Sequence, residues 1–116
     1  MHNPILTKTF VTAADVNART IIKFKANTGQ VIPAAADTDD AIGVAEEVGA
    51  TGGNRVDVVL VGVAKTLAAG TIAAGSRVTA NNEGHAVAWS TGKKSLGIAL
   101  ADATDGAIIP VLIDRN

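Results

Sequence analysis

The sequence has no cysteine and no tyrosine, and its only aromatic residues are two phenylalanines and one tryptophan among 116 residues. Without cysteine, the chain can form neither a disulfide framework nor a thiolate metal site. Because aromatic rings usually supply much of the burial in a core, this core must be built from small and β-branched side chains. Such a composition favours a protein that gains stability from a partner surface.

The sequence also lacks a charge bias and a long apolar run. Ten basic and eleven acidic residues give a net charge of −1, and the basic residues are scattered. This distribution argues against direct binding to nucleic acid or to an anionic membrane. No stretch approaches the roughly 18 apolar residues of a membrane span, and the N-terminus has no signal-peptide pattern. We therefore expect a soluble protein synthesised in the cytoplasm.

Segments of the first half of the chain recur, in the same order, in the second half. Residues 16–22 are echoed by 72–78, 41–45 by 95–99, and 56–61 by 108–113. The offset between the copies falls slowly from 56 to 52 residues, which favours a tandem duplication over chance. The sequence predicts one domain over residues 1–116, with an extended arm at 1–11, a first repeat at about 12–61 and a second at about 62–116.

The local pattern within each repeat is that of short strands. Ile22 and Phe24 alternate with lysines, and the turn residues Asn27-Thr28-Gly29 follow, which predicts a hairpin. Gly84 marks the same turn in the second copy. Turn signals every 8–12 residues and the absence of a long amphipathic pattern predict an all-β fold. We expect a small antiparallel β-barrel or sandwich built from two pseudo-symmetric repeats.

The two most apolar segments, 56–63 and 108–113, are hydrophobic on both faces of the predicted strands. Strict alternation places Val59 with Val61 on one face, and Ile108 with Leu112 on another. Since an antiparallel sheet in so small a protein usually leaves one face wet, these four residues are candidate subunit contacts. The alternative is a closed barrel whose loops cover the second face. Pro110 predicts an edge strand or a bulge.

The N-terminal arm is the other apolar feature. Pro4 is followed by Ile5, Leu6, Phe10 and Val11, which predicts an extended segment that docks on a partner. A frayed terminus, or a first strand packed on its own barrel, explains the same pattern equally well. Trp89 has two interpretations as well: an anchor in a protein interface, or a side chain that fills the core of the second half.

No pattern of catalytic or ligand-binding residues is present. His2 and His85 do not have metal-ligand spacing, and the acidic residues 37–40 lack the glycine and glutamate of a calcium loop. Residues 91–94, Thr-Gly-Lys-Lys, lack the upstream glycine and the hydroxyl residue of a phosphate-binding loop. There is no Gly-x-Ser-x-Gly motif. The sequence predicts no enzyme, no cofactor and no metal site.

The whole chain resembles a known family. The opening residues 3–10, the unit 42–44 with 55–59, and the series Gly70, Gly84 and Gly97 are similar to the small capsid decoration, or cement, proteins of tailed bacteriophages. The resemblance implies a structural virion protein that binds the exterior of an expanded shell of major capsid protein and stabilises contacts between capsomers. It also implies a homo-oligomer, with a trimer favoured and a dimer as the alternative.

The resemblance carries over no catalytic residue. It makes the arm residues Ile5, Leu6, Phe10 and Val11 candidates for docking on the shell. An alternative from another class is a surface-displayed barrel that recognises a glycan or a host receptor. That alternative requires exposed aromatic rings for stacking on sugars, and Trp89 is its main candidate.

Overall fold

The computed structural model describes residues 3–26, 28–46 and 48–113, with side chains from residue 6 onward. Nine strands, all paired antiparallel, form one sheet, and no helix occurs in these ranges. None of the described residues therefore belongs to a helix that could cross a membrane. The strands are β1 (Asn3–Val11), β2 (Ile21–Phe24), β3 (Val31–Pro33), β4 (Ala41–Ala45), β5 (Arg55–Leu67), β6 (Arg77–Ala80), β7 (Ala86–Ala88), β8 (Gly97–Ala99) and β9 (Ile108–Ile113).

The sheet curls into a half-barrel, and the all-β prediction is confirmed. The strand order is β3-β2-β4-β5-β9-β8-β6-β7, with β1 on β5 as an additional pairing. The strands of the second half therefore have the neighbour order β7-β6-β8-β9, which corresponds strand for strand to β3-β2-β4-β5 in the first half. Both predicted hairpins, β2 with β3 and β6 with β7, are present, although Asn27 of the first turn lies outside the described residues.

The N-terminal segment, which the sequence predicts as a docking arm, a frayed terminus or a first strand, forms strand β1. It pairs with β5 from Asn3 to Val11, so this segment is a strand on its own sheet. The C-terminal part of β5 pairs with β9 in the corresponding way, since Phe10 opposite Val56 matches Thr66 opposite Ile109. This register favours including β1 in the first repeat rather than treating residues 1–11 as an arm outside it. The duplication itself stays a prediction.

A bulge in the middle of β5 divides the strand between two parts of the sheet. Thr7 lies opposite Val59 and Leu6 lies opposite Val61, so Leu60 is left over, and Gly62 follows with a φ of 108°. An extra residue on one strand shifts the alternation of its side chains. The large core is consequently contacted by Val59 before the bulge and by Ala64 after it. The 13-residue strand β5 therefore pairs with strands of both halves of the chain.

The buried residues form two clusters. The larger one lies between the halves and includes residues of both. Its fully buried large side chains are Ile21, Val44, Val59, Ile72, Val78, Leu96, Ile109 and Val111. The smaller cluster lies on the other side of the first half, and its members are Val16, Ile22, Val31, Ala45, Val56 and Val58. Phe10 and Leu60 pack against the smaller cluster.

Two single residues show how the sheet accommodates a glycine and a proline. Gly43 lies at a close backbone approach, because a Cβ there would collide with the carbonyl oxygen of Val59. Pro110 was expected on an edge or at a bulge, and this is wrong, because β9 lies between β5 and β8 in regular register. Its missing N–H is tolerated because β8 ends at Ala99, before the position that would accept it.

Candidate functional site

One face of the second half is apolar and open to solvent. On β9, Ile109 and Val111 are buried, whereas Ile108 and Leu112 are 48% and 38% exposed. The same alternation on β5 leaves Val61 exposed, with Leu6 of β1 directly opposite it. We call this surface the outer face, and its apolar residues are Leu6, Val61, Val63, Leu67, Ile98, Leu100, Ile108, Pro110 and Leu112.

A single row of side chains crosses the outer face from strand to strand. Val63 lies opposite Leu112, Leu112 opposite Ile98, and Ile98 opposite Arg77. The N–H of Trp89 donates to the carbonyl of Arg77 at 2.9 Å and extends the row to the end of β7. Directly opposed residues of antiparallel strands point to the same face. This second row therefore begins with aliphatic side chains and ends with an arginine and a tryptophan.

The corresponding row of the first half has the opposite environment. Thr7 lies opposite Val59, Val59 opposite Val44, and Val44 opposite Ile21, whose carbonyl accepts the N–H of Ala34 at 2.8 Å. The last four residues of this first row are fully buried in the large cluster, against the second half. The same sheet positions are thus covered in one half and exposed in the other.

A cleft of about 710 Å³ lies at the tryptophan end of the second row. We call it the Trp89 cleft, and its lining residues are Asp40, Ala41, Ile42, Arg77, Trp89, Lys93, Lys94 and Ser95. The indole N–H of Trp89 donates to the carbonyl oxygen of Lys93 at 2.6 Å, which fixes the ring. The Nε–H of Arg77 donates to Ser95 Oγ at 2.8 Å, which orients the guanidinium group.

The cleft forms where two corresponding loops of opposite charge meet. Residues 34–40 connect β3 to β4 and carry three aspartates, whereas 89–96 connect β7 to β8 and carry two lysines. Lys93 Nζ lies 3.5 Å from Asp37, and Lys94 Nζ lies 3.2 Å from Asp40. The N–H of Lys94 also donates to the carbonyl of Asp37 at 2.9 Å. The acidic loop and Trp89, which the sequence singles out separately, are neighbours in space.

Asp39 has a structural role within the acidic loop. Partial burial raises the pKa of its carboxyl group, but the N–H of Ala35 at 2.8 Å and the Lys23 ammonium at 2.9 Å stabilise the charged form. The balance holds the pKa of Asp39 below its usual value. Asp39 does not line the Trp89 cleft, so its contacts maintain the loop shape rather than offering a binding group.

Four of the predicted contact residues come together on the outer face: Leu6, Val61, Ile108 and Leu112. Trp89 is partly exposed and lines the cleft, so the prediction that it fills the core is wrong. Val59 is fully buried within the chain and is removed from the candidate surface. The strict alternation that grouped Val59 with Val61 fails because of the bulge at Leu60.

The remaining arm residues do not join this surface. Phe10 is partly buried and packs edge to face against Phe24, with ring centroids 5.5 Å apart. Val11 is partly buried opposite Arg55, and the side chain of Ile5 lies outside the described residues. Sequence reasoning missed Ile98 and Leu100, although their alternation with buried Gly97 and Ala99 carries the signal.

In the described ranges, no three His, Cys, Asp or Glu side chains are grouped closely enough to hold a metal ion. The pKa shift that stands out among the described carboxylates, that of Asp39, is explained by its loop contacts. The chemistry that the site offers is apolar contact along the outer face together with cationic and aromatic groups at its end.

The chain is similar in sequence to a known family and in fold to solved structures. The sequence profile of the phage cement proteins matches residues 1–113. The fold is similar to the crystal structure of the N base of head fibre gp8.5 of bacteriophage phi29, with a TM-score of 0.75 and 20% identity. That similarity covers 96% of this chain and 95% of the phi29 chain. No protein with a curated description matches the sequence.

Proposed function

The chain belongs to the phage cement protein family, and on this basis we propose that it binds the outer surface of an icosahedral capsid and stabilises contacts between capsomers of the major capsid protein. Family membership makes it a structural protein of the phage particle, as the sequence resemblance implied. A position on the capsid exterior, after synthesis in the bacterial host cytoplasm, is part of the proposal.

The observation that carries the proposal is the outer face. Its apolar side chains lie next to one another on neighbouring strands, since Leu112 of β9 lies opposite Val63 of β5 on one side and opposite Ile98 of β8 on the other. Contiguous apolar patches of this kind mark contact sites, because removing them from water contributes about 25 cal/mol per Å². Many copies on one shell would make the joint stabilisation strong even if each contact is weak.

We also propose self-association, with a trimer favoured and a dimer as the alternative. Strand β1 pairs with β5 along one edge, and no strand of the described residues pairs with its other edge. A free edge can accept a strand of a neighbouring copy through main-chain hydrogen bonds. Native mass spectrometry of the purified protein decides between three copies, two copies and one.

The test of the function uses expanded shells assembled from the major capsid protein of the phage that encodes this chain. We expect the protein to cosediment with the shells and to raise the temperature at which they break apart. Leu112→Lys should weaken binding at least tenfold, because it places a charge in an apolar contact. Val48→Lys is the matched control, since Val48 is 76% exposed in a loop of the first half. Failure of the wild-type protein to cosediment would contradict the proposal.

A further inference from the structure

Trp89 stands at a position where the first half of the chain has a small residue. The N–H of Trp89 donates to the carbonyl of Arg77, and at the corresponding place the N–H of Ala34 donates to the carbonyl of Ile21. Ala34 is fully buried, whereas Trp89 is partly exposed and lines the Trp89 cleft. The first half forms the same hairpin with only a methyl group here, so the hairpin itself does not require the indole ring.

The ring of Trp89 is held in place with its polar group already bonded. Its single N–H donates to the carbonyl oxygen of Lys93 at 2.6 Å, so the ring offers the cleft its aromatic surface rather than a hydrogen-bond donor. Aromatic faces bind apolar surface and C–H groups. A ring that is fixed before binding also loses little conformational freedom when a ligand stacks on it. Trp89 therefore provides a preformed stacking surface.

The polar groups around the ring are both donors and acceptors, and their charges are largely compensated within the chain. The polar side chains of the lining are those of Asp40, Arg77, Lys93, Lys94 and Ser95. Lys93 is paired with Asp37, and Lys94 is paired with Asp40. An anionic ligand would compete with these aspartates for the lysines, whereas a neutral hydroxyl group bonds to either member of a pair without separating it. The cleft therefore favours a neutral ligand that carries several hydroxyl groups.

The bend of the sheet separates the cleft from the aliphatic part of the outer face. The second half closes on itself where Ala68 bridges Ala86, and the N–H of Ala69 donates to the carbonyl of Ala86 at 2.8 Å. Strand β7 therefore returns to the end of β5, and its outward side points in a different direction from that of β9. The Trp89 end of the second row is turned away from Leu112, so a ligand in the cleft does not require the outer face to be uncovered.

We infer that the Trp89 cleft binds a neutral saccharide, with one pyranose ring stacked on Trp89 and its hydroxyl groups bonded to Asp40 and Arg77. This activity goes beyond the proposed function and does not rest on it. A pyranose ring has an apolar C–H face and a rim of hydroxyl groups, each of which both donates and accepts. The cleft volume of about 710 Å³ lies within the range of small-molecule sites, which combine an aromatic surface with a few polar groups.

The first experiment is a fluorescence titration of the free protein. Trp89 is the only tryptophan and the chain has no tyrosine, so the tryptophan emission reports on the cleft alone. The probes are lactose, maltotriose and triacetylchitotriose, and glycerol is the control for a solvent effect. We expect a saturable change in emission with at least one probe and a dissociation constant of about 1 mM, because one stacked ring in an open cleft binds weakly. No saturable change with any of the three up to about 20 mM overturns the inference.

Two variants of Trp89 separate stacking from the role of the ring in holding its loop. Both are measured by saturation-transfer NMR on the saccharide, because they remove the tryptophan signal. Trp89→Ala should weaken binding at least about tenfold, whereas Trp89→Phe keeps an aromatic face and should weaken it only about two- to threefold. Phenylalanine cannot donate to the carbonyl of Lys93. If Trp89→Phe loses binding as fully as Trp89→Ala, the ring does not act by stacking, and the inference is wrong.

The hydrogen-bond acceptor of the cleft is tested at Asp40. Its ion pair with Lys94 is exposed and contributes little to stability, so Asp40→Ala should remain folded. We expect this variant to bind the saccharide about threefold more weakly, because it removes one hydrogen bond to the ligand. The matched control is Asp105→Ala, since Asp105 is an exposed aspartate of the second half that does not line the cleft. Equal effects of the two substitutions would contradict the assignment of Asp40.

The remaining outcomes distinguish this inference from the proposed function. If sialyllactose binds more tightly than lactose, the preferred ligand is anionic and the inference is wrong. If no saccharide binds and Trp89→Ala abolishes cosedimentation with shells, Trp89 is an anchor of the shell contact, which overturns the inference while the proposed function stands. If the free protein binds a saccharide through Trp89 but does not cosediment with shells, the proposed function fails and this inference holds.

Discussion

The two halves of the chain place corresponding strands in corresponding registers, yet the central row of side chains is buried in the first half and faces solvent in the second. In the first half, Ile21, Val44 and Val59 are buried by the second half. In the second half the same positions hold Arg77, Ile98 and Leu112, and they face outward. The comparison shows that one sheet position can be buried core in one half and solvent-facing in the other, according to what packs against it.

On the opposite face of the sheet the two halves differ in the reverse direction, because the first half carries two large aromatic side chains where the second half carries small buried ones. Phe10 and Phe24 pack together over the first half, and the register places Thr66 and Ala80 at their positions in the second half. Thr66 and Ala80 are small enough to be buried between the halves. The two phenylalanines close a side of the sheet that no second unit covers. The few aromatic residues of the chain are therefore placed where internal packing ends.

The largest expected effect concerns the corresponding hairpin glycines. Gly84 has a φ of 76°, and a Cβ there would lie 2.5 Å from Thr20 Cγ2. Gly84→Ala should lower the free energy of unfolding by about 3 kcal/mol, because it adds backbone strain and overpacking. Gly29→Ala, where a Cβ meets nothing within 4 Å, should change it by less than about 0.5 kcal/mol. Denaturant unfolding measures both, and equal effects would break the comparison between the halves.

The next effect distinguishes a loss of stability from a loss of shell binding at two corresponding positions, Val59 in the first row and Leu112 in the second. Val59→Ala should cost about 2 kcal/mol of stability, because Val59 is fully buried in the large core. Leu112→Ala should cost less than about 1 kcal/mol, because Leu112 is 38% exposed. Shell binding should show the reverse ranking, with the larger loss for Leu112→Ala at temperatures where both variants are folded. The same ranking in both measurements would contradict the assignment of core and contact rows.

A smaller effect tests the aromatic pair that closes the first half. The rings of Phe10 and Phe24 meet edge to face at an interplanar angle of 81°. A double-mutant cycle with Phe10→Ala and Phe24→Ala should give a coupling free energy of about 1 kcal/mol, as edge-to-face pairs do. Additive effects of the two substitutions would show that the rings contribute independently and do not close the sheet as a pair.

The smallest effect is a pH dependence that belongs to the acidic loop. Because the pKa of Asp39 is lower in the folded chain than in the unfolded chain, its ion pair and hydrogen bond stabilise the fold above about pH 4. This contribution is lost as the pH falls through the lowered pKa. The difference in free energy of unfolding between the wild type and Asp39→Asn should shrink by less than about 1 kcal/mol as the pH falls from about 6 to 2. Parallel pH profiles would contradict the role of Asp39.

Much of the fold could be predicted from the sequence, because alternation and turn residues are local signals. Ile22 and Phe24, with the turn glycines, predict the hairpins that the structure contains. The bulge at Leu60 could not be predicted, since it depends on pairing with β1, a contact distant in sequence. For this reason strict alternation predicts Val59 on the contact surface, although it lies in the core.

The candidate site was predictable in part for the same reason. Alternation identified Ile108 and Leu112, and Trp89 was a candidate interface anchor from its residue type. That Trp89 and the acidic residues 37–40 meet at one cleft depends on how the halves pack, which no local pattern records. The family resemblance was confirmed by the profile match over residues 1–113.

The most direct test of the central claim is a cryo-electron microscopy reconstruction of expanded shells saturated with the protein. We predict that the outer face, with Ile98 and Leu112 at its centre, contacts the major capsid protein. A reconstruction in which the protein is bound but its outer face points into solvent, or against another copy of the chain, would contradict the claim.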